Sequence, residues 1–150
     1  MKTIPKTIAL ILILILGGVI GNFGKDTGKR ISNYINEDTE DATIERELLE
    51  ISNQVNRQLP MMIDEETRCD TTFVIGKKIV YKYTMVNLVS DVFDTIVFEK
   101  ELNSKAKSNL CNDLKTIEMI KFGVGYKFMY YDKDGKLIVS IYVDKAACGQ

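Results

Sequence analysis

The chain has 150 residues, 45% apolar and 27% charged, with only two prolines and ten glycines, a balance that suits one globular domain and argues against long disorder. It contains no histidine, so Ser-His-Asp and Cys-His machinery cannot be built from it alone. The net charge is -1, and removing Lys2 and Lys6 with the first 21 residues would leave 18 basic against 21 acidic residues, or -3; such a domain lacks the clustered cations that nucleic-acid binding needs.

Residues 8–16 are nine consecutive apolar side chains, Ile8 to Leu16, preceded by Lys2 and Lys6 and followed by Gly17-Gly18-Val19-Ile20-Gly21. A basic start, a short apolar run and small residues form the pattern of a secretory signal, here with a cut ahead of Asn22. Left uncut, residues 7–23 would just reach the length of a membrane anchor, although Lys25, Lys29 and Arg30 on the far side blur its orientation. A helix with no polar face does not suit a globular core. No cysteine stands at the end of the run, so lipoprotein anchoring is not available. Residues 22–40, with Glu37, Asp38 and Glu40, read as an acidic tether.

A single domain is expected over residues 41–150. Ile44, Leu48, Ile51, Val55 and Leu59 recur at helical spacing, so a helix is predicted from about Asp41 to Gln58, stopped by Pro60. Thr71–Ile75 and Ile79–Val86 form a predicted hairpin around Gly76-Lys77-Lys78, with Ile79, Tyr81, Tyr83 and Met85 on one face. From Asp91 to Lys121 two helical pieces are expected, broken near Asn103-Ser104. Phe93, Ile96 and Val97 would line the first; Leu110, Leu114 and Ile117 the second. A second hairpin, Val124–Tyr131 and Leu137–Asp144, closes the chain. This order predicts an α+β fold: a four-stranded antiparallel sheet of two hairpins with helices on one face.

Three cysteines in an exported chain suggest one disulfide and a spare thiol. Cys111–Cys148 is favoured, because it would fasten the tail to a helix; its loop of about 38 residues is worth roughly 3–4 kcal/mol. Cys69 could pair with either, or sit buried and free; without histidine it is a poor nucleophile.

The segment Leu59-Pro60-Met61-Met62-Ile63-Asp64-Glu65-Glu66-Thr67-Arg68 is the most distinctive. Met61, Met62, Asp64 and Arg68 are candidate binding residues, methionine adapting to irregular partners; the same residues would equally serve to cross the core and tie a turn. Tyr81, Tyr83 and Tyr130 are further candidates, drawn from strand tyrosines that also include Tyr126, Tyr131 and Tyr142 and that could form an exposed aromatic face. Asp132-Lys133-Asp134-Gly135 opens like a calcium loop, but Leu137 and Val143 stand where glycine and glutamate are required, so it is read as a hairpin turn. No metal site and no cofactor fingerprint follow from the chain.

Leu59-Pro60-Met61-Met62-Ile63-Asp64-x-x-Thr67-Arg68, Val80-Tyr81-Lys82-Tyr83-Thr84, Cys111, Gly123, Tyr130-x-Asp132-x-x-Gly135 and Cys148, in that order, resemble a group of small uncharacterised bacterial envelope-associated proteins with an N-terminal apolar segment. The resemblance spans roughly residues 44–148 and implies an envelope-associated α+β domain with Cys111 and Cys148 at that group's two recurrent cysteine positions; Cys69 is peculiar to this chain. The resulting expectation is a non-catalytic binding or assembly module, periplasmic, secreted or anchored at the inner membrane through residues 7–23, whose partner is another envelope protein rather than nucleic acid. The competing readings are a small-ligand or lipid carrier between helices and sheet, and a histidine-free hydrolase using Asp64 with Arg68 or a tyrosine.

Overall fold

A computed structural model describes residues 40–92 and 94–150. The expected targeting segment, nearly all of the acidic tether, and Phe93 lie outside the described residues. Helix α1 covers Glu40–Asn56. A two-residue strand β1, Met61–Met62, leads into β2, Thr67–Ile75, and β3, Lys78–Met85. A short 3-10 turn at Ser90–Val92 precedes α2, Thr95–Asn112, and α3, Leu114–Lys121; β4, Gly125–Tyr131, and β5, Leu137–Val143, complete the chain.

The fold is α+β, as the element order predicts, but among the described residues the sheet has five strands in the order β1-β2-β3-β4-β5 and is mixed, not four-stranded and antiparallel. The two predicted hairpins form, and they join through a parallel pairing of β3 with β4 in which Lys78 faces Gly125 and Thr84 faces Tyr131. Parallel neighbours need a crossover, and α2 with α3 supplies it. The composition of β3 is the local sign of this central position: Val80 is buried like Ile79 and Tyr81 although it points to the other face, where it lies between Phe73 of β2 and Lys127 of β4. The fifth strand arises because Met61 and Met62 pair with Cys69 and Arg68, extending β2 four residues ahead of its predicted start at Thr71.

Helix α1 packs on β2 and β3, while α2 packs on β5 and on α3. Ile44, Leu48 and Val55 are buried as the spacing predicts. The helix stops at Asn56 because its side-chain amide turns to the sheet. Its Nδ2 donates to the Thr72 carbonyl at 2.8 Å and its Oδ1 accepts from the Thr72 N–H at 2.7 Å, so it stands in for the neighbour that β1 is too short to provide. Ser52 Oγ meets Thr72 Oγ1 at 2.8 Å beside it.

Residues 95–112 form one helix, without the expected break at Asn103-Ser104. The buried stripe Phe98, Leu102, Ala106, Leu110 runs at four-residue spacing straight through that point, while Ser104 faces solvent. The break falls at Asp113, whose backbone is extended, whose N–H caps α2 by donating to the Asn109 carbonyl, and whose carboxylate accepts from the Thr116 N–H at the start of α3. The expected linings also change: Ile96 and Leu114 are 76% and 81% exposed, because each sits in the first turn of its helix, on the side away from the sheet. Phe98 takes the core position instead, edge-on to Tyr130.

Candidate functional site

The sheet register sorts the seven candidate residues by face, since successive side chains of a strand point to opposite sides. Met61, Cys69, Tyr83, Tyr130 and Val139 form one row across the five strands on the helix-covered face. Within it Tyr83 stacks on Tyr130 with ring centroids 5.0 Å apart, and Tyr81 stacks on Phe128 at 5.5 Å. Tyr81, Tyr83 and Tyr130 are therefore core side chains, at most 3% exposed. Burial raises the pKa of each hydroxyl, with neighbouring tyrosines or the Cys69 thiol adding to it, so all three stay neutral in the physiological range. Met61 reaches the same face only at the sheet edge, where it is exposed.

Met62 and Arg68 face each other in the next row, on the opposite side of the sheet. The Arg68 Nε donates to Asp70 Oδ1 at 2.6 Å, and Asp70 Oδ2 accepts from the Thr84 hydroxyl at 2.6 Å. Asp70 occupies a bulge, lying between Cys69, opposite Tyr83, and Thr71, opposite Lys82. Asp64 closes the turn between β1 and β2, its Oδ1 accepting from the N–H groups of Glu66 and Thr67 at 2.8 and 2.7 Å. Its charge also reaches Tyr130, adding to the rise in that hydroxyl's pKa behind burial and Cys69. Asp64, Arg68 and the tyrosines thus have separate engagements: a turn, a bulge and the core.

Cys111 and Cys148 are joined in a disulfide, with Cα atoms 5.4 Å apart. Cys69 is free and fully buried; burial, with help from the Asp70 charge, pushes its thiol up to about 12, which leaves no thiolate at neutral pH. Among the described residues no group of three or more cysteines and carboxylates is placed to hold a metal ion, and no helix is long and apolar enough to cross a membrane. The turn at Asp132 is built by one carboxylate. Its Oδ1 accepts from the N–H groups of Asp134 and Lys136, and its Oδ2 from Ser90, tying the last hairpin to the segment before α2.

The helix-free face carries a set of residues that sequence reasoning did not bring together. On β2 and β3 it presents Phe73, Ile75, Lys78 and Lys82; on β4 and β5, Lys127, Met129, Tyr131 and Tyr142. Phe73, Ile75 and Tyr142 are exposed, Ile75 by 61%. The Lys78 Nζ lies 5.3 Å from the centre of the Tyr142 ring and the Lys82 Nζ 4.9 Å from that of Tyr131, cation–π contacts that hold both partners in place. Tyr142 also packs over Gly125, where a Cβ would meet its ring carbons at 2.8–2.9 Å, so glycine is what lets this ring settle onto the sheet. The signal in the sequence was the second phase of each strand: Lys78, Val80 and Lys82 against Lys127, Met129 and Tyr131.

No family model matches the chain, and no curated protein matches it in sequence. Three solved structures share its fold. A candidate secreted protein of Pseudomonas aeruginosa superposes with a TM-score of 0.62 at 12% identity, covering 75% of this chain and 99% of its own. A pilotin of the type II secretion system of Vibrio vulnificus gives 0.60 at 17% identity, and a type II secretion pilotin of Vibrio cholerae gives 0.55 at 14%; each covers 72% of this chain and 94% of its own. At these identities the likeness is one of fold: a small α+β unit that these proteins share over nearly their whole length.

Proposed function

We propose that this chain is a non-catalytic, envelope-associated module that binds another envelope protein, and that the helix-free sheet face is its contact surface. The observation that carries the reading is the composition of that face. It sets Phe73, Ile75 and Tyr142 beside Lys78, Lys82 and Lys127 on an otherwise mildly acidic chain. Aromatic rings on a rigid sheet are groups that anchor protein interfaces, and lysines beside them favour an acidic partner and steer its approach. Support also comes from the fold shared with two type II secretion pilotins and a candidate secreted protein, and from the disulfide, which belongs to an oxidising compartment. The N-terminal apolar segment would deliver the chain, with residues 22–40 as the tether to the domain beginning at residue 41.

In-cell photocrosslinking tests it. A photoreactive residue at Phe73 or at Lys78 is expected to give a discrete adduct with an envelope protein, while the same residue at Lys107, on the exposed side of α2, gives none. Equal labelling at all three positions, or none at the sheet positions, would remove the basis for assigning this face.

A further inference from the structure

The parallel pairing of β3 with β4 sets three cations in file on the helix-free face. Lys78 lies opposite Gly125, Val80 opposite Lys127, and Lys82 opposite Met129, so Lys78, Lys127 and Lys82 occupy successive rungs, alternately on the two strands. Rungs of one face are about 6.6 Å apart along a strand and neighbouring strands about 4.8 Å apart, which puts each of these Cα atoms about 8 Å from the next. No two of the lysines stand directly across from each other, so their mutual repulsion is kept down. Phe73 and Ile75 on β2 flank the file on one side and Tyr142 on β5 on the other, all three exposed.

The charge of this file is not met from within. Among the described residues Lys77 and Lys136 are paired with Asp41 and Asp91, whereas no carboxylate stands within ion-pair distance of Lys78, Lys127 or Lys82. Asp70, at the bulge of β2, is already taken by Arg68 and the Thr84 hydroxyl. The rings of Tyr142 and Tyr131 position the Lys78 and Lys82 ammonium groups and leave their N–H donors for a carboxylate. Acidic side chains gather instead on α1, where Asp41, Glu45, Glu47 and Glu50 outnumber Arg46 and which packs on the other side of β2 and β3. The domain is thus polarised across its sheet.

Resting on the assignment of this face as the contact surface, we infer that the seam between β3 and β4 reads a linear acidic segment of the partner. Its carboxylates recur about every 6–7 Å along one line, which is every second residue of an extended chain or every fourth of a helix. Each meets one lysine in turn, and apolar side chains beside them pack on Phe73, Ile75 or Tyr142. Carboxylates scattered over a partner's surface would satisfy one lysine at a time but not three in register, so spacing is selected along with charge.

The test uses the full-length chain in cells with a photoreactive residue at Phe73. The peptide attached to it, sequenced by mass spectrometry, is expected to carry Asp or Glu at three positions separated by steps of two or of four. In K78E/K82E/K127E the adduct is expected to fall at least about tenfold, and in K78R/K82R/K127R, which keeps every charge on its rung, to stay within about twofold of the parent. Circular dichroism of the charge-reversed chain matching the parent shows that its fold is kept, and the sequencing result does not depend on that variant. An adduct on a neutral, basic or irregularly spaced stretch, or one that charge reversal leaves unchanged in yield, overturns the acidic segment while the contact surface stands. An adduct with the chain's own residues 22–40 or with lipid overturns it in favour of the tether or the membrane. No adduct at Phe73 removes the contact surface and the acidic segment together.

Discussion

Asn56 closes two backbone groups of β2 with one side chain, and its two ends are not interchangeable. The Nδ2 supplies the donor for the Thr72 carbonyl while the Oδ1 takes the Thr72 N–H and also receives the Thr72 and Thr71 hydroxyls at 3.1 and 3.3 Å. Asn56→Asp keeps the acceptor but removes the donor and sets a carboxylate against a carbonyl, so it is expected to cost about 2 kcal/mol, more than a surface change at Asn53; urea denaturation midpoints would measure it. Nothing in the sequence marks Asn56 apart from other polar residues of α1, since its role depends on a strand 16 positions later. Asp64, by contrast, was legible as a turn residue from its own neighbours, because an Asx turn is closed by the next two or three residues.

At the level of elements, the junction between α2 and α3 rests on Asp113. Hydrogen bonding from the Thr116 N–H outweighs partial burial and holds its carboxyl below the ordinary value of 3.8. A pKa lowered on folding contributes stability that is present above the unfolded value and is lost as pH falls through the folded one. Asp113→Ala is therefore expected to cost about 1 kcal/mol at neutral pH, the usual worth of an N-cap, and progressively less as the pH falls through the lowered folded value, where the wild type itself loses the charge; thermal melts at neutral and at strongly acidic pH give the comparison. The helix was readable over its buried stripe, Phe98 to Leu110, yet the sequence-based break fell at Asn103-Ser104. Polar residues on a solvent-facing side interrupt nothing, whereas an aspartate able to cap the following turn does. The strands were read well for the same reason in reverse. Alternation in Tyr126, Phe128, Tyr130 and in Val139, Ile141, Val143 reports the core face directly, while strand order is a tertiary property that alternation does not encode.

Over the whole molecule, the disulfide binds the segment after β5 to the end of α2, so the last hairpin is held at both ends of its surroundings. Replacing both Cys111 and Cys148 by serine is expected to remove roughly 3–4 kcal/mol and lower the melting temperature by more than about 10 °C. Alkylation of the native protein should label no thiol, and unfolding without reduction should expose Cys69 alone. The candidate binding residues were legible only in part: Met62 and Arg68 share an exposed row, but the tyrosines chosen lie in the phase of the strand that the helices cover. The lysines and Tyr142 of the other phase became a surface only once β3 and β4 were known to be neighbours.

That parallel pairing also governs the order in which the fold can be completed. Each hairpin closes over a short turn, but β3 and β4 meet only after the 39 residues between Met85 and Gly125 have been ordered as α2 and α3, a high-contact-order step that is slow relative to hairpin formation. A chain that emerges N-terminus first therefore holds β3, the most apolar strand of the early half, with one side unpaired until residue 131 has followed. The hydroxyl-bearing tyrosines along its core face and the lysines along the other are compatible with water during that interval, as a run of valine and isoleucine would not be.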